Sequence, residues 1–259
     1  MTDLYQEIAA LQVKGELAAL CTITYSRGST PRHAGTKMLV YRHGRISGTI
    51  GGGEMESRII AEAQAAIDAG KPRKLEYSLS DPAKGDPGIC GGQLEVFVEP
   101  ILPKATVVVI GAGHVGKAVV FLAHWLGYRV VLSDDRAEFC NPEAVPLADE
   151  YLPGDMQSIP EQITIHSQTY LVLTTRSPEL DIAGLPSLFA TPAAYVGVIG
   201  SKRRWEQTRQ SLLEAGLDEN QLQRVVSPMG VDLNAETPEE IALSILAEIT
   251  LLRNRVSES

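Results

Sequence analysis

Residues 107–116, Val-Val-Val-Ile-Gly-Ala-Gly-His-Val-Gly, constrain the fold of this chain more than any other segment. Consecutive β-branched residues suit a strand buried on both faces, as in a parallel sheet. The G-x-G-x-x-G turn that follows uses its glycines for a tight turn, a close backbone approach and helix packing, in that order. Val130-Val131-Leu132-Ser133-Asp134-Asp135 then supplies a second strand ending in acid. Gly111 and Asp134 are 23 positions apart, near the roughly 20 expected for an acid that binds a ribose hydroxyl. Strand, glycine turn, helix, strand and acid together predict a Rossmann-like body. Because that body opens only at Val107, the residues before it form a body of their own.

Two domains fit a chain of 259 residues, and the expected boundaries are 1–100 and 104–259, joined at Glu99-Pro100-Ile101-Leu102-Pro103. The expected fold class is α/β, an N-terminal α+β domain followed by a Rossmann-like, doubly wound parallel sheet with a C-terminal helix. A net charge of -9 argues against nucleic acid as a partner, since phosphate backbones select basic surfaces. Cys21, Cys90 and Cys140 contain no C-x-x-C pair, which fits a reducing compartment. The first residues carry acids where a signal peptide would be basic, and no run is apolar for the roughly 20 residues of a membrane helix. The expectation is a cytoplasmic protein with no membrane contact.

In the first body, Leu4, Ile8, Leu11 and Val13 mark a helix, residues 17–25 a strand, and the segments flanking His43-Gly44 a hairpin. The hairpin leads into Gly51-Gly52-Gly53-Glu54 and a helix over 55–69. Glycines at a helix start expose N–H groups that suit an anion, or serve only a tight turn. Glu54 is either part of such a site or a first-turn acid matched to the helix dipole. Further strands are expected at 74–80 and 94–98, separated by a loop that holds Cys90 before Gly91-Gly92. Cys90 is either an approachable thiol or a small hydrophobe, whereas Cys21 falls in a strand and belongs to the core.

In the second body, Gly111, Gly113, Gly116 and Asp134 form the nucleotide-holding set, with His114 and Val115 inside the turn. His114 is either a helix-start residue or a ligand contact. Arg136 would meet a 2′-phosphate, so NAD and NADP both stay open, as does retention of the glycines for packing alone. Strands at 170–174 and 194–199 precede Thr174-Thr175-Arg176-Ser177 and Gly200-Ser201-Lys202-Arg203-Arg204, on the side of the sheet where ligands bind. Ser201 and its basic neighbours are candidates for phosphate contact or a solvated helix start. Thr237-Pro238-Glu239-Glu240 reads as the capped start of a last helix. No zinc-type cluster, nucleophile elbow or Walker A motif is present, so no independent catalytic constellation emerges.

Taken in order, Gly28-Ser29-Thr30-Pro31-Arg32, Gly48-Thr49-Ile50-Gly51-Gly52-Gly53-Glu54, Cys90-Gly91-Gly92, the 111–116 turn, Asp134-Asp135-Arg136, Gly200-Ser201-Lys202-Arg203, Pro228-Met229-Gly230-Val231-Asp232 and residues 236–242 resemble the XdhC/CoxI family. These are accessory factors of xanthine dehydrogenase, carbon monoxide dehydrogenase and related molybdenum hydroxylases. The resemblance implies a protein that binds molybdenum cofactor (molybdopterin or its dinucleotide), protects it during maturation and delivers it to a molybdenum hydroxylase apoenzyme. It implies a cysteine desulfurase as a further partner and a homo-oligomeric state. On that analogy residues 51–53 and Cys90 line one site, while Gly111, Gly113, Gly116 and Asp134 hold a nucleotide moiety. Where many members carry Thr-His-Asp-His, this chain has Thr174-Thr175-Arg176-Ser177, with Asp181 beyond it. The competing expectations are an NAD(P)-dependent oxidoreductase or a nucleotide-sensing protein, argued from the Rossmann fingerprint, and a pure interaction module.

Overall fold

A computed structural model describes residues 4–79 and 91–258. The chain divides into two compact units, one reaching to Pro103 and one spanning Lys104–Arg255. The first begins with helix α1 (Leu4–Lys14), strand β1 (Ala18–Arg27) and the hairpin β2 (Lys37–Tyr41) and β3 (Ile46–Gly48). Helix α2 (Gly53–Ala69) and strands β4 (Arg73–Ser78) and β5 (Gln93–Ile101) complete it. The five strands form an antiparallel sheet in the order β3-β2-β1-β5-β4. Alternation along β1 sends Ala19, Cys21 and Ile23 to the face covered by α2 through Met55, Ile59, Ala63 and Ile67. Ala18 and Leu20 meet Leu11 of α1 on the other face. Burial pushes the Cys21 thiol up to about 12, so it stays a neutral core residue.

The expected connector at 99–101 is instead the end of β5. Pro100 pairs with Ala19 of β1, whereas β4 reaches along β5 only to Val98. The missing N–H of Pro100 therefore lies beyond the stretch β4 covers, the setting in which a sheet tolerates proline.

The second unit opens with β6 (Thr106–Ile110), α3 (His114–Trp125), β7 (Arg129–Asp134), β8 (Glu150–Pro153), α4 (Ile159–Gln162) and β9 (Thr169–Leu173). Then follow α5 (Pro178–Phe189), β10 (Tyr195–Val198), α6 (Lys202–Glu214), α7 (Glu219–Leu222), β11 (Val225–Val226) and α8 (Pro238–Glu258). All six strands are parallel, in the order β11-β10-β9-β6-β7-β8. Val107 and Val109 face α3 and α8, and Val108 and Ile110 face α5 and α6, so both sheet faces are dry. Each such buried aliphatic contributes about 1.5–3 kcal/mol. Thr237 and Glu240 cap α8 reciprocally, the Thr237 hydroxyl accepting from the Glu240 N–H and the Glu240 carboxylate from the Thr237 N–H. Read from β6 outward, the order is the doubly wound one, and the sheet reverses direction of growth between β6 and β9.

Candidate functional site

At that reversal the carboxyl ends of β6, β7 and β9 and the segment after β8 surround a cavity of about 90 Å³. Pockets that bury a whole small ligand run to roughly 300–1,000 Å³. The cavity therefore has room for one moiety of such a ligand and not for the whole. Gly111, Gly113, Asp134, Asp135, Arg136, Asp155, Thr175 and Arg176 are its chemically informative lining.

The three glycines of the turn have different reasons to be glycine. Gly111 sits at φ +112°, and a Cβ there would meet the Thr174 carbonyl oxygen at 2.6 Å. A Cβ on Gly116 would come within 1.9 Å of the Gly111 carbonyl oxygen, so α3 packs directly on the turn. Gly113, at φ -70°, would place a Cβ against nothing within 4 Å. Among the described residues no contact requires glycine there, and α3 begins at Gly113 without a side-chain cap. Free N–H groups and the positive end of the helix dipole make that start a place for an anion.

Asp134 holds the turn from the side. Its Oδ2 accepts from the Ala112 N–H at 2.7 Å and from Arg136 Nη2 at 3.0 Å, while its Oδ1 accepts from the Arg136 backbone N–H at 3.0 Å and Nε at 2.9 Å. The Arg136 guanidinium also lies 4.2 Å over the Phe139 ring. Asp135 is clamped by both terminal nitrogens of Arg176 at 2.5 and 2.6 Å, which holds its carboxyl down to about 2. That ion pair spans the ends of β7 and β9. Behind it, fully buried Asp181 accepts from the Thr175 hydroxyl at 2.5 Å and from Arg204 Nη2 at 2.8 Å, which locks α5 to α6. Burial raises the Asp181 carboxyl, with Thr175 and Arg204 opposing.

The other expected site residues fall elsewhere. His114 is exposed, and neither it nor Val115 lines the cavity; Val115 packs on the core under α3. Ser201 accepts from the Arg204 N–H at 3.2 Å and so caps α6, away from the cavity lining. Glu54 points outward to Arg58, one turn along α2. Cys90 lies outside the described residues.

In the first unit the glycine turn is filled by a residue that the motif does not name. Glu56 Oε2 accepts from the Thr49 hydroxyl at 2.5 Å and from the N–H groups of Ile50 and Gly52 at 3.1 and 3.2 Å. Burial works against its charge, yet the Thr49 hydroxyl and the N–H groups of Ile50, Gly52 and Gly51 hold the carboxyl below its ordinary value. The sequence signal for Glu56 is an acid one turn into a helix that follows a hydroxyl and a glycine turn, a variant of the capping box. Three of the segments singled out from the sequence do converge here. A Cβ on Gly51 would meet Pro31 at 2.7 Å, one on Gly28 the Gly91 carbonyl at 3.1 Å, and one on Gly92 the Ser29 carbonyl at 2.3 Å. Arg27 and Arg32 are exposed on this loop cluster, and among the described residues a Cβ on Gly52 or Gly53 would meet nothing within 4 Å.

A doubly wound sheet with its glycine turn and cavity at the switch point defines a Rossmann-type unit. Residues 107–249 match the model of the XdhC Rossmann domain, and residues 11–78 match that of the XdhC and CoxI family. The chain belongs to the XdhC and CoxI family. It is 34% identical over 257 residues to the uncharacterised protein YqeB of Escherichia coli, covering 97% of this chain and 46% of that one. It is 28% identical over 162 residues to a probable xanthine dehydrogenase subunit of Bacillus subtilis, covering 62% of this chain and 47% of that one. The chain thus spans about half the length of these two relatives. A third, the molybdenum cofactor insertion chaperone PaoD of Escherichia coli, is 22% identical, with 98% of this chain and 90% of that one covered. The crystal structure of a xanthine dehydrogenase from Bacillus halodurans shares the fold, with a TM-score of 0.52, 20% identity and coverage of 98% and 96%. Among the described residues, no helix is long and apolar enough to cross a membrane.

Proposed function

We propose that this chain is an accessory protein that binds molybdenum cofactor, as molybdopterin or its dinucleotide, and assists its maturation and insertion into a xanthine dehydrogenase-type molybdenum hydroxylase. The observation that carries this reading is the bare approach at Gly113. An uncapped helix start beside a cavity, at a glycine that no internal contact requires, suits the anionic tail of a nucleotide-like cofactor. Membership of the XdhC and CoxI family, together with the likeness to PaoD, makes molybdenum cofactor the cofactor to test. In this reading Gly111, Gly113, Gly116 and Arg136 shape and flank the nucleotide end. The N–H groups around residues 50–52 already serve Glu56, so Arg27 and Arg32 supply the anion contacts of the first unit, with Cys90 next to Gly91 in sequence. The protein works in the cytoplasm as a homo-oligomer and meets the hydroxylase apoenzyme and a cysteine desulfurase.

The test is to purify the protein from cells with an intact or a disrupted molybdopterin pathway and to measure retained pterin and client hydroxylase activity. Gly113→Trp is expected to cut pterin retention at least tenfold while the fold survives, because the Cβ direction is open. Absence of pterin in the intact strain, together with unchanged hydroxylase activity in a deletion strain, sinks the proposal. A second reading, an NAD(P)-dependent oxidoreductase, is favoured by the strand order alone. It requires tight nicotinamide binding and turnover of a hydride donor or acceptor.

A further inference from the structure

We infer that Asp155, and not the acid at the end of β7, receives the sugar hydroxyls of a ribonucleotide moiety held in the cavity. This rests on the reading that the cavity holds a nucleotide-like group. A carboxylate offers about four acceptor positions, and all four of Asp134 are taken, by the Ala112 N–H and three donors of Arg136. Its side chain is 2% exposed. A ribose diol would reach it only by expelling the Ala112 N–H of the glycine turn or a donor of Arg136. Asp135 is clamped by Arg176.

Asp155 lines the same cavity and is exposed, and its carboxylate has no partner among the described residues. The fold puts it beside the acid that the motif names. Pro153 pairs in register with Asp134, and the Gly154 N–H donates to the Asp134 carbonyl at 3.0 Å, so Asp155 follows directly. Next to it the wall turns apolar, with Met156, Leu180, Ala183 and Gly184. Met156 packs so closely that a Cβ on Gly184 would meet its Cγ at 2.0 Å. A free carboxylate at the rim of an apolar wall fits a sugar edge carrying a flat heterocycle, with the diol donating to the acid.

The experiment is equilibrium dialysis of the purified full chain against ADP, CDP and GDP, each beside its 2′-deoxy counterpart. Wild type is expected to bind at least one ribonucleotide about ten- to a hundredfold more tightly than the deoxy form, the range of a hydrogen bond to a charged acceptor. Asp155→Asn should abolish that preference without moving the thermal midpoint. Asp134→Asn should lower the midpoint, while the folded fraction keeps the preference. If Asp155→Asn keeps the preference, if Asp134→Asn abolishes it, or if wild type binds both forms equally, the inference fails and the nucleotide reading of the cavity stands. If no nucleotide binds wild type, both fail.

Discussion

The two glycine-rich turns, one per unit, look alike in sequence and differ in what fills them. Each carries a strand end into a helix. In the first, the N–H groups of Ile50 and Gly52 close on Glu56, a carboxylate of the same helix. In the second, Asp134 takes only the Ala112 N–H of the turn, and the helix start at Gly113 stays bare. Glycine content reports backbone geometry and close approach in both cases. Whether a turn is open to an outside anion depends on whether an internal carboxylate has already satisfied it.

Substitutions and pH separate the two turns. The largest effect is expected from Gly116→Val, since a Cβ would overlap the Gly111 carbonyl. Loss of more than about 4 kcal/mol, or failure to fold, should appear in denaturant unfolding of the second unit. Next comes acid. His166 is buried, its Nδ1 accepts from the Gln168 N–H, and burial with Arg129 nearby lowers it to about 4. The unfolded chain binds that proton more readily, so stability is full above about 6.5 and is lost as pH falls toward 4, by about 3 kcal/mol. Glu56 is lowered too, so its contribution persists to more acid pH and is lost only as pH falls below the ordinary carboxylate range. Thermal scans from pH 7 to 4 should show the second unit weakening first, and His166→Gln should flatten that slope.

Glu56→Ala is expected to cost about 1–3 kcal/mol, because it strands the Thr49 hydroxyl and two N–H groups. It should also open the first turn to inorganic phosphate, which phosphorus NMR line broadening would detect. No broadening would show that the turn collapses when its carboxylate is removed. The smallest effect belongs to Glu54→Ala, within about 0.5 kcal/mol by calorimetry, since its pair with Arg58 is solvent-exposed. A larger loss would mean that Glu54 supports the turn as Glu56 does.

What was legible in the sequence follows the same division. Strands buried on both faces, such as β6 and β9, announce themselves as unbroken apolar runs. Strand β8 does not: Glu150-Tyr151-Leu152-Pro153 is a sheet edge with only Leu152 buried, too short to show a period. Pro100 reads as a chain break because proline usually is one, and only the pairing of β5 shows the side on which its missing N–H is harmless. Spacing located the glycine turn and Asp134. It could not show that Arg136 closes on that acid, since residues two apart in a loop meet only if the loop folds back. Glu56 and Asp155 escaped for a related reason, as each lies outside the motif whose geometry it completes or borders.

The saturation of Asp134 bears on kinetics. The carboxylate that braces the turn through the Ala112 N–H is itself held by three donors of Arg136, so the brace is in place before anything rests on it. Under the proposed function, an arriving ligand would not have to order this turn, and that part of the entropic cost of association would be absent. Differences in affinity would then lie mainly in how fast the ligand departs, which would suit the proposed role of a carrier that lets go on contact with a recipient.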